Sequence, residues 1–132
     1  MSDKVFIDTN IFVYAKLITG QEQVKYQQAK CFLQSQQQTV VVSTQVLSEF
    51  VNVLIKHRVS DNAIQAGIDA IAENSMVSPV SFCTVQDALK IKSRYQFSYW
   101  DSLIIASALE NGCTILFTED LQHNQMIEET LW

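Results

Sequence analysis

The chain contains no apolar run approaching the ~20 residues that a membrane-spanning helix needs, and its first residues, Met1-Ser2-Asp3-Lys4, lack a basic region leading into a long apolar segment. Neither a membrane protein nor a secreted one is expected, and the compartment indicated is the cytoplasm. Cysteine is scarce: Cys31, Cys83 and Cys113 are an odd number with no CxxC spacing, which argues against a disulfide framework and against thiolate metal or redox work. They read as small core residues in a reducing compartment. No Ser-His or Cys-His arrangement supplies a nucleophile with its base, and His57 and His123 lie far from the other polar motifs, as surface residues do. The single proline, Pro79, lies within Met76-Val77-Ser78-Pro79-Val80, which reads as a short strand that the proline confines to a sheet edge.

What is abundant is apolar. In 132 residues, 48% are hydrophobic and only 17% charged, enough for one domain with a substantial core and too little for two. The net charge of −5 at first argues against a nucleic-acid partner, since phosphate binding draws on excess Lys and Arg. That exclusion weakens if several carboxylates are committed to a divalent ion, because most of the excess negative charge is then accounted for. The basic residues are also grouped, as Lys56-His57-Arg58 and as Lys90, Lys92 and Arg94. Lys56, Arg58, Lys90 and Arg94 are candidates for touching a polyanion, against the plainer reading of two solvated helix faces.

Strand and helix signals alternate. Lys4 to Asp8 read as a strand, followed by a short helix to about Leu17 and a second from Glu22 to about Ser35. Thr39-Val40-Val41-Val42 is an unbroken β-branched run, suited to a parallel strand covered on both faces. Ser43 or Thr44 caps a helix with Leu47, Phe50, Val51, Leu54 and Ile55 on its apolar stripe. Ser60-Asp61 opens a helix through Ile64, Ile68 and Ile71. Thr84 reads as the cap of the next, with Val85, Ala88, Leu89 and Tyr95 inward and Asp87 at the third helical position, where a capping role suffices. The helix after Ser98 is apolar all round past its first turn and must be buried, ending at Asn111-Gly112 with a left-handed residue. Thr114 to Phe117 form the next strand. This alternation predicts a three-layer α/β/α domain spanning 1–132 with a mostly parallel central sheet of four to five strands.

Four carboxylates stand out. Asp8 sits where an apolar strand passes into an apolar helix, and desolvating an unpaired charge there costs several kcal/mol. Lys4 shares its strand face but lies about 13 Å away at ~3.3 Å per residue. Asp120 repeats the arrangement after the strand ending at Phe117. Glu49 lies in the row Val46, Glu49, Val53, at the margin of an apolar stripe, and Asp101 heads the buried helix. Each has a bland alternative: Asp8 as a helix cap, Glu49 as a surface residue, Asp101 as the third residue of a capping box. In open α/β sheets, however, ligands bind beyond the carboxyl ends of strands where the winding reverses. If the strands ending at Asp8 and near Asp120 are neighbours there, their acids come within reach of one ion. Like charges so close need a cation, and carboxylates without His or Cys point to a hard one, Mg²⁺ or Mn²⁺. Such an ion acidifies bound water and polarises a phosphoryl oxygen.

Val5-Phe6-Ile7-Asp8-Thr9-Asn10, the glutamate of Ser48-Glu49-Phe50, Trp100-Asp101-Ser102-Leu103-Ile104-Ile105-Ala106-Ser107-Ala108 and Leu116-Phe117-Thr118-Glu119-Asp120-Leu121 resemble the four acidic motifs of the PIN-domain family, in order and spacing. The small VapC-type toxins of bacterial toxin–antitoxin pairs are the most similar members. This resemblance implies a metal-dependent endoribonuclease in which Asp8, Glu49, Asp101 and Asp120 hold one or two Mg²⁺ or Mn²⁺ ions. It implies that Asn10 and Thr118 orient those carboxylates by hydrogen bonds, and that the chain forms a homodimer silenced by a cognate antitoxin. Two other classes compete. A receiver or phosphatase-like domain would need a lysine after a late strand, and none follows Arg94. A catalytically idle PIN-like binding module is disfavoured by the presence of all four acids.

Overall fold

The computed structural model of the chain describes residues 4–16, 31, 38–118 and 125–126. Its centre is a sheet of five strands, β1 (Lys4–Ile7), β2 (Thr39–Ser43), β3 (Met76–Ser78), β4 (Cys113–Phe117) and β5 (Gln125–Met126), in the order β3-β2-β1-β4-β5. The first four pair in parallel, and β5 adds to β4 antiparallel at one edge. Register runs Val5 to Val40 and Phe6 to Val41 on one side, and Val5 to Ile115 and Ile7 to Phe117 on the other, with a register shift between Lys4 and Val5. Strand β3 is the opposite edge, and Pro79 lies just past its end, where no ladder donor is lost.

Among the described residues five helices are bounded, α1 (Thr9–Lys16), α2 (Thr44–Lys56), α3 (Asp61–Glu73), α4 (Phe82–Tyr95) and α5 (Tyr99–Glu110); the helix expected from Glu22 to Ser35 lies, apart from Cys31, outside the described residues. Right-handed crossovers in this strand order put the helices between β1 and β3 on one face and the α4–α5 pair on the other. Ser43, Ser60 and Ser98 cap α2, α3 and α5, each accepting a hydrogen bond from the third helical residue. Helix α5 is buried from Ser102 to Ala108, and Gly112 follows it at φ 73.

Three expectations are corrected. The cap of α4 is Ser81, not Thr84: the two exchange a reciprocal capping box, so Thr84 is the third helical residue and Asp87 lies a turn further in. Ile55 and Leu89, expected inward, are 56% and 54% exposed. The buried rows are Val46, Phe50, Leu54 on α2 and Thr84, Ala88, Ile91 on α4, and a residue one step past such a row is turned ~100° away from the core. Finally, only Cys113 is a core cysteine; Cys31 and Cys83 are exposed.

Burial pushes the Cys113 thiol up to about 11, against a smaller opposing pull from the Lys4 ammonium. A thiol that stays protonated and enclosed is a poor nucleophile. With a disulfide reagent at about pH 8, Cys31 and Cys83 should therefore react quickly and Cys113 only on unfolding. Rapid modification of all three thiols in the native protein would contradict this arrangement.

Candidate active site at the strand ends

Strands β1 and β4 are neighbours, and the winding reverses between them, since the chain passes from β1 to β2 and β3 on one side before returning to β4 on the other. Asp8 leaves β1 at this point. Its backbone N–H extends the ladder by donating to Phe117 O at 3.0 Å, which fixes the residue beside the end of β4. The side chain is 3% exposed. Its Oδ1 accepts from the Thr9 N–H at 2.7 Å and its Oδ2 from the Thr118 hydroxyl at 2.7 Å. Both donors are themselves buried.

From Asp8 a run of hydrogen bonds crosses to the other elements. The Thr9 hydroxyl, in the first turn of α1, donates to Glu49 Oε2 at 3.1 Å and lies 3.4 Å from Val46 O on α2. The Gln45 amide, one turn before Glu49, donates to Glu49 Oε1 at 3.1 Å and to Trp100 O at 3.3 Å. Thr118, Asp8, Thr9, Glu49, Gln45 and Trp100 thus join the ends of β4 and β1 to α1, α2 and α5. Asp101 is the next residue after Trp100, half-buried, its N–H donating to the Ser98 hydroxyl at 3.1 Å. Asn10 is half-buried in the first turn of α1. Asp120 lies outside the described residues.

The structure therefore ties Asp8 to Glu49 through one threonine and brings Asp101 to within one residue of the same network. Among the described residues, no three acidic, histidine or cysteine side chains are grouped to hold a metal. The network nevertheless offers carboxylate, hydroxyl and amide oxygens, the chemistry that a hard divalent ion takes, and Asp8 is a buried carboxylate pre-oriented by two short bonds. The residues fit such an ion. Lys56 and Arg58 stand exposed at the far end of α2, about 10 Å along the helix from Glu49 at 1.5 Å per residue. Arg58 has φ 59. Lys90 and Arg94 are exposed on α4. His57 is exposed, with Nδ1 3.0 Å from Val53 O, and His123 is outside the described residues.

Two residues of the network escape sequence reasoning. Thr9 is overshadowed by the acid before it, because its partner is 40 residues away. Gln45 carries a signal that could have been used: it precedes Glu49 by four residues on a helix, the spacing at which an amide and a carboxylate meet.

Fold and site together define an α/β protein with two carboxylates, Asp8 and Glu49, linked through one threonine beyond the carboxyl end of a parallel strand. The PIN domain profile matches residues 5–128, and the chain belongs to the PIN domain family. Among solved structures it is similar to Mycobacterium tuberculosis VapC20, a sarcin-ricin loop cleaving toxin, at TM-score 0.71 and 20% identity over 88% of this chain and 91% of that one. It is also similar to a toxin–antitoxin complex from Klebsiella pneumoniae, at TM-score 0.68 and 18% identity over 90% and 88%. A third is VapBC2 from Rickettsia felis bound to a DNA fragment from its promoter, at TM-score 0.62 and 19% identity over 90% and 89%. No curated protein matches the chain in sequence.

Proposed function

We propose that this PIN domain is a metal-dependent endoribonuclease, the toxin of a type II toxin–antitoxin pair. The observation that carries the reading is the buried Asp8 carboxylate at the winding reversal, held on both oxygens and linked through Thr9 to Glu49. Family membership and the toxin neighbours support it. Asp8, Glu49, Asp101 and Asp120 would hold Mg²⁺ or Mn²⁺, which when bound supplies Lewis acidity and an acidified water for attack on a phosphodiester. The chain's own contribution is placement. Thr118 and the Thr9 N–H fix the Asp8 carboxylate, while the Thr9 hydroxyl and Gln45 fix that of Glu49, so neither must be reorganised when charge develops on the phosphate. A cognate antitoxin, a homodimer and a cytoplasmic setting complete the proposal. Among the described residues, no helix is long and apolar enough to cross a membrane.

The test is direct. Purified protein should cut RNA in Mg²⁺ or Mn²⁺ and stop when the ion is chelated; cleavage that survives chelation would overturn the reading. A second reading, an idle PIN-like binding module, draws on the lack of a three-acid group among the described residues. Calorimetric titration with Mn²⁺ separates the two, since an idle module gives no binding heat.

Thr9→Val keeps the backbone bond to Asp8 and the branched shape but deletes the hydroxyl that holds Glu49. Losing such a supporting hydrogen bond typically costs ~10–100-fold in metal affinity. We expect Thr9→Val to weaken Mn²⁺ binding to that extent and Thr9→Ser to restore it. Unchanged affinity in Thr9→Val would remove Thr9 from the positioning network.

A further inference from the structure

We propose that the cleft between α2 and α5 is a nucleobase subsite, in which the indole of Trp100 stacks on one unpaired base of an RNA strand next to the phosphodiester to be cut. This rests on the ribonuclease reading and adds to it which part of the strand the chain grips. The cleft is an open one of about 500 Å³, within the roughly 300–1,000 Å³ of small-ligand sites. Glu49 belongs both to its wall and to the hydrogen-bonded network around Asp8, so a group seated here is beside the acids.

The chemistry of the wall selects a base over a phosphate. Val80, Leu103 and Trp100 supply apolar surface, and Thr44, Gln45 and Ser48 supply hydrogen-bonding groups. Among the described residues no lysine or arginine lines the cleft, while Glu49 does, so a phosphate would meet a carboxylate there. A flat neutral ring with polar edges suits the same wall. Trp100 is 62% exposed, so its side chain is accessible to a partner seated in the cleft. It is also held rather than loose: Tyr99 packs against its ring edge-on at 5.2 Å and 66°, and its carbonyl accepts from Gln45. Because the Gln45 amide nitrogen serves two acceptors, its orientation is settled, and among the described residues its buried Oε1 has no hydrogen-bond partner.

The experiment uses the full chain carrying Asp8→Asn, so that RNA is bound without being cut, and a labelled single strand of about eight nucleotides. The same strand is prepared with one abasic position at a time. With Trp100 present, one abasic position should weaken binding about tenfold, the usual worth of a stacked base. Adding Trp100→Ala should weaken the intact strand by a similar factor and abolish the penalty at that position, whereas Trp100→Phe should retain most of both. Because Trp100 is largely exposed, circular dichroism should show Trp100→Ala folded. An abasic penalty of equal size with and without the indole, or unchanged affinity in Trp100→Ala, overturns the subsite and leaves the cleft to a protein side chain. Cleavage by the unsubstituted chain is measured alongside. If it cuts no RNA with either ion, the ribonuclease reading fails and the subsite with it; if it cuts but the penalty ignores Trp100, only the subsite fails.

Discussion

Asp8→Asn should lower RNA cleavage about a thousandfold while the protein stays folded. The size follows from what the carboxylate is asked to do: a divalent ion at a phosphoryl centre is worth several kcal/mol of transition-state stabilisation, and each 1.36 kcal/mol is a factor of ten. Folding should persist because asparagine is nearly isosteric and keeps an oxygen for the Thr9 N–H, while the Thr118 hydroxyl, now opposite an amide, can accept instead of donate. Removing a buried negative charge near Glu49 also relieves like-charge repulsion, so without metal the unfolding midpoint should stay level or rise. The metal gives an independent readout. Mn²⁺ at about a hundred times its Kd should stabilise the unsubstituted chain by about 2.7 kcal/mol, seen as a higher midpoint, and this increment should vanish in Asp8→Asn. Cleavage retained within tenfold, or an undiminished Mn²⁺ shift, would mean that Asp8 is a structural cap and nothing more.

How far the sequence announces this arrangement depends on how local each determinant is. Asp8 is legible because the strand, the acid and the helix that follows occupy one short stretch. The reversal beside it follows from alternating elements and crossover handedness, which hold for any chain of this pattern. The caps Ser43, Ser60 and Ser98 are equally local. Ser81 is a harder case: Ser81 and Thr84 are both hydroxyl residues three apart, each able to start the helix, and the choice falls to Ser81 because Thr84 is wholly enclosed and its hydroxyl donates to Glu110 at 2.8 Å, 26 residues on. The same limit conceals Thr9, whose role depends on α2 packing against α1. Ile55 and Leu89 show a subtler limit. An apolar stripe reads wider than the face that is covered, and only the partner element decides where the margin lies.

The largest stability effect is expected where α2 meets α3. Phe50 is 2% exposed on the core face of α2, and Gly67 on α3 lets its ring approach so closely that a Cβ there would lie 3.0 Å from Phe50 Cζ and 3.1 Å from Cε1. Phe50→Ala should cost about 3–5 kcal/mol, the transfer term plus the cavity left behind, out of a total of roughly 5–15 kcal/mol for a domain of this kind. Gly67→Ala makes the opposite error. Alanine gains about 1 kcal/mol of helix propensity over glycine, but the ring it meets is enclosed and has little room to yield, and overpacking costs ~1–3 kcal/mol, so the net should be a loss of about 1 kcal/mol. With the ring removed, the clash is gone and only the propensity gain remains. Gly67→Ala introduced into Phe50→Ala should therefore stabilise by about 1 kcal/mol, reversing its sign, as residues in contact can do. Denaturant unfolding of the four proteins in this cycle measures it. If Gly67→Ala has the same effect with and without the ring, the two side chains do not share the contact, and the packing of α3 on α2 described here is wrong.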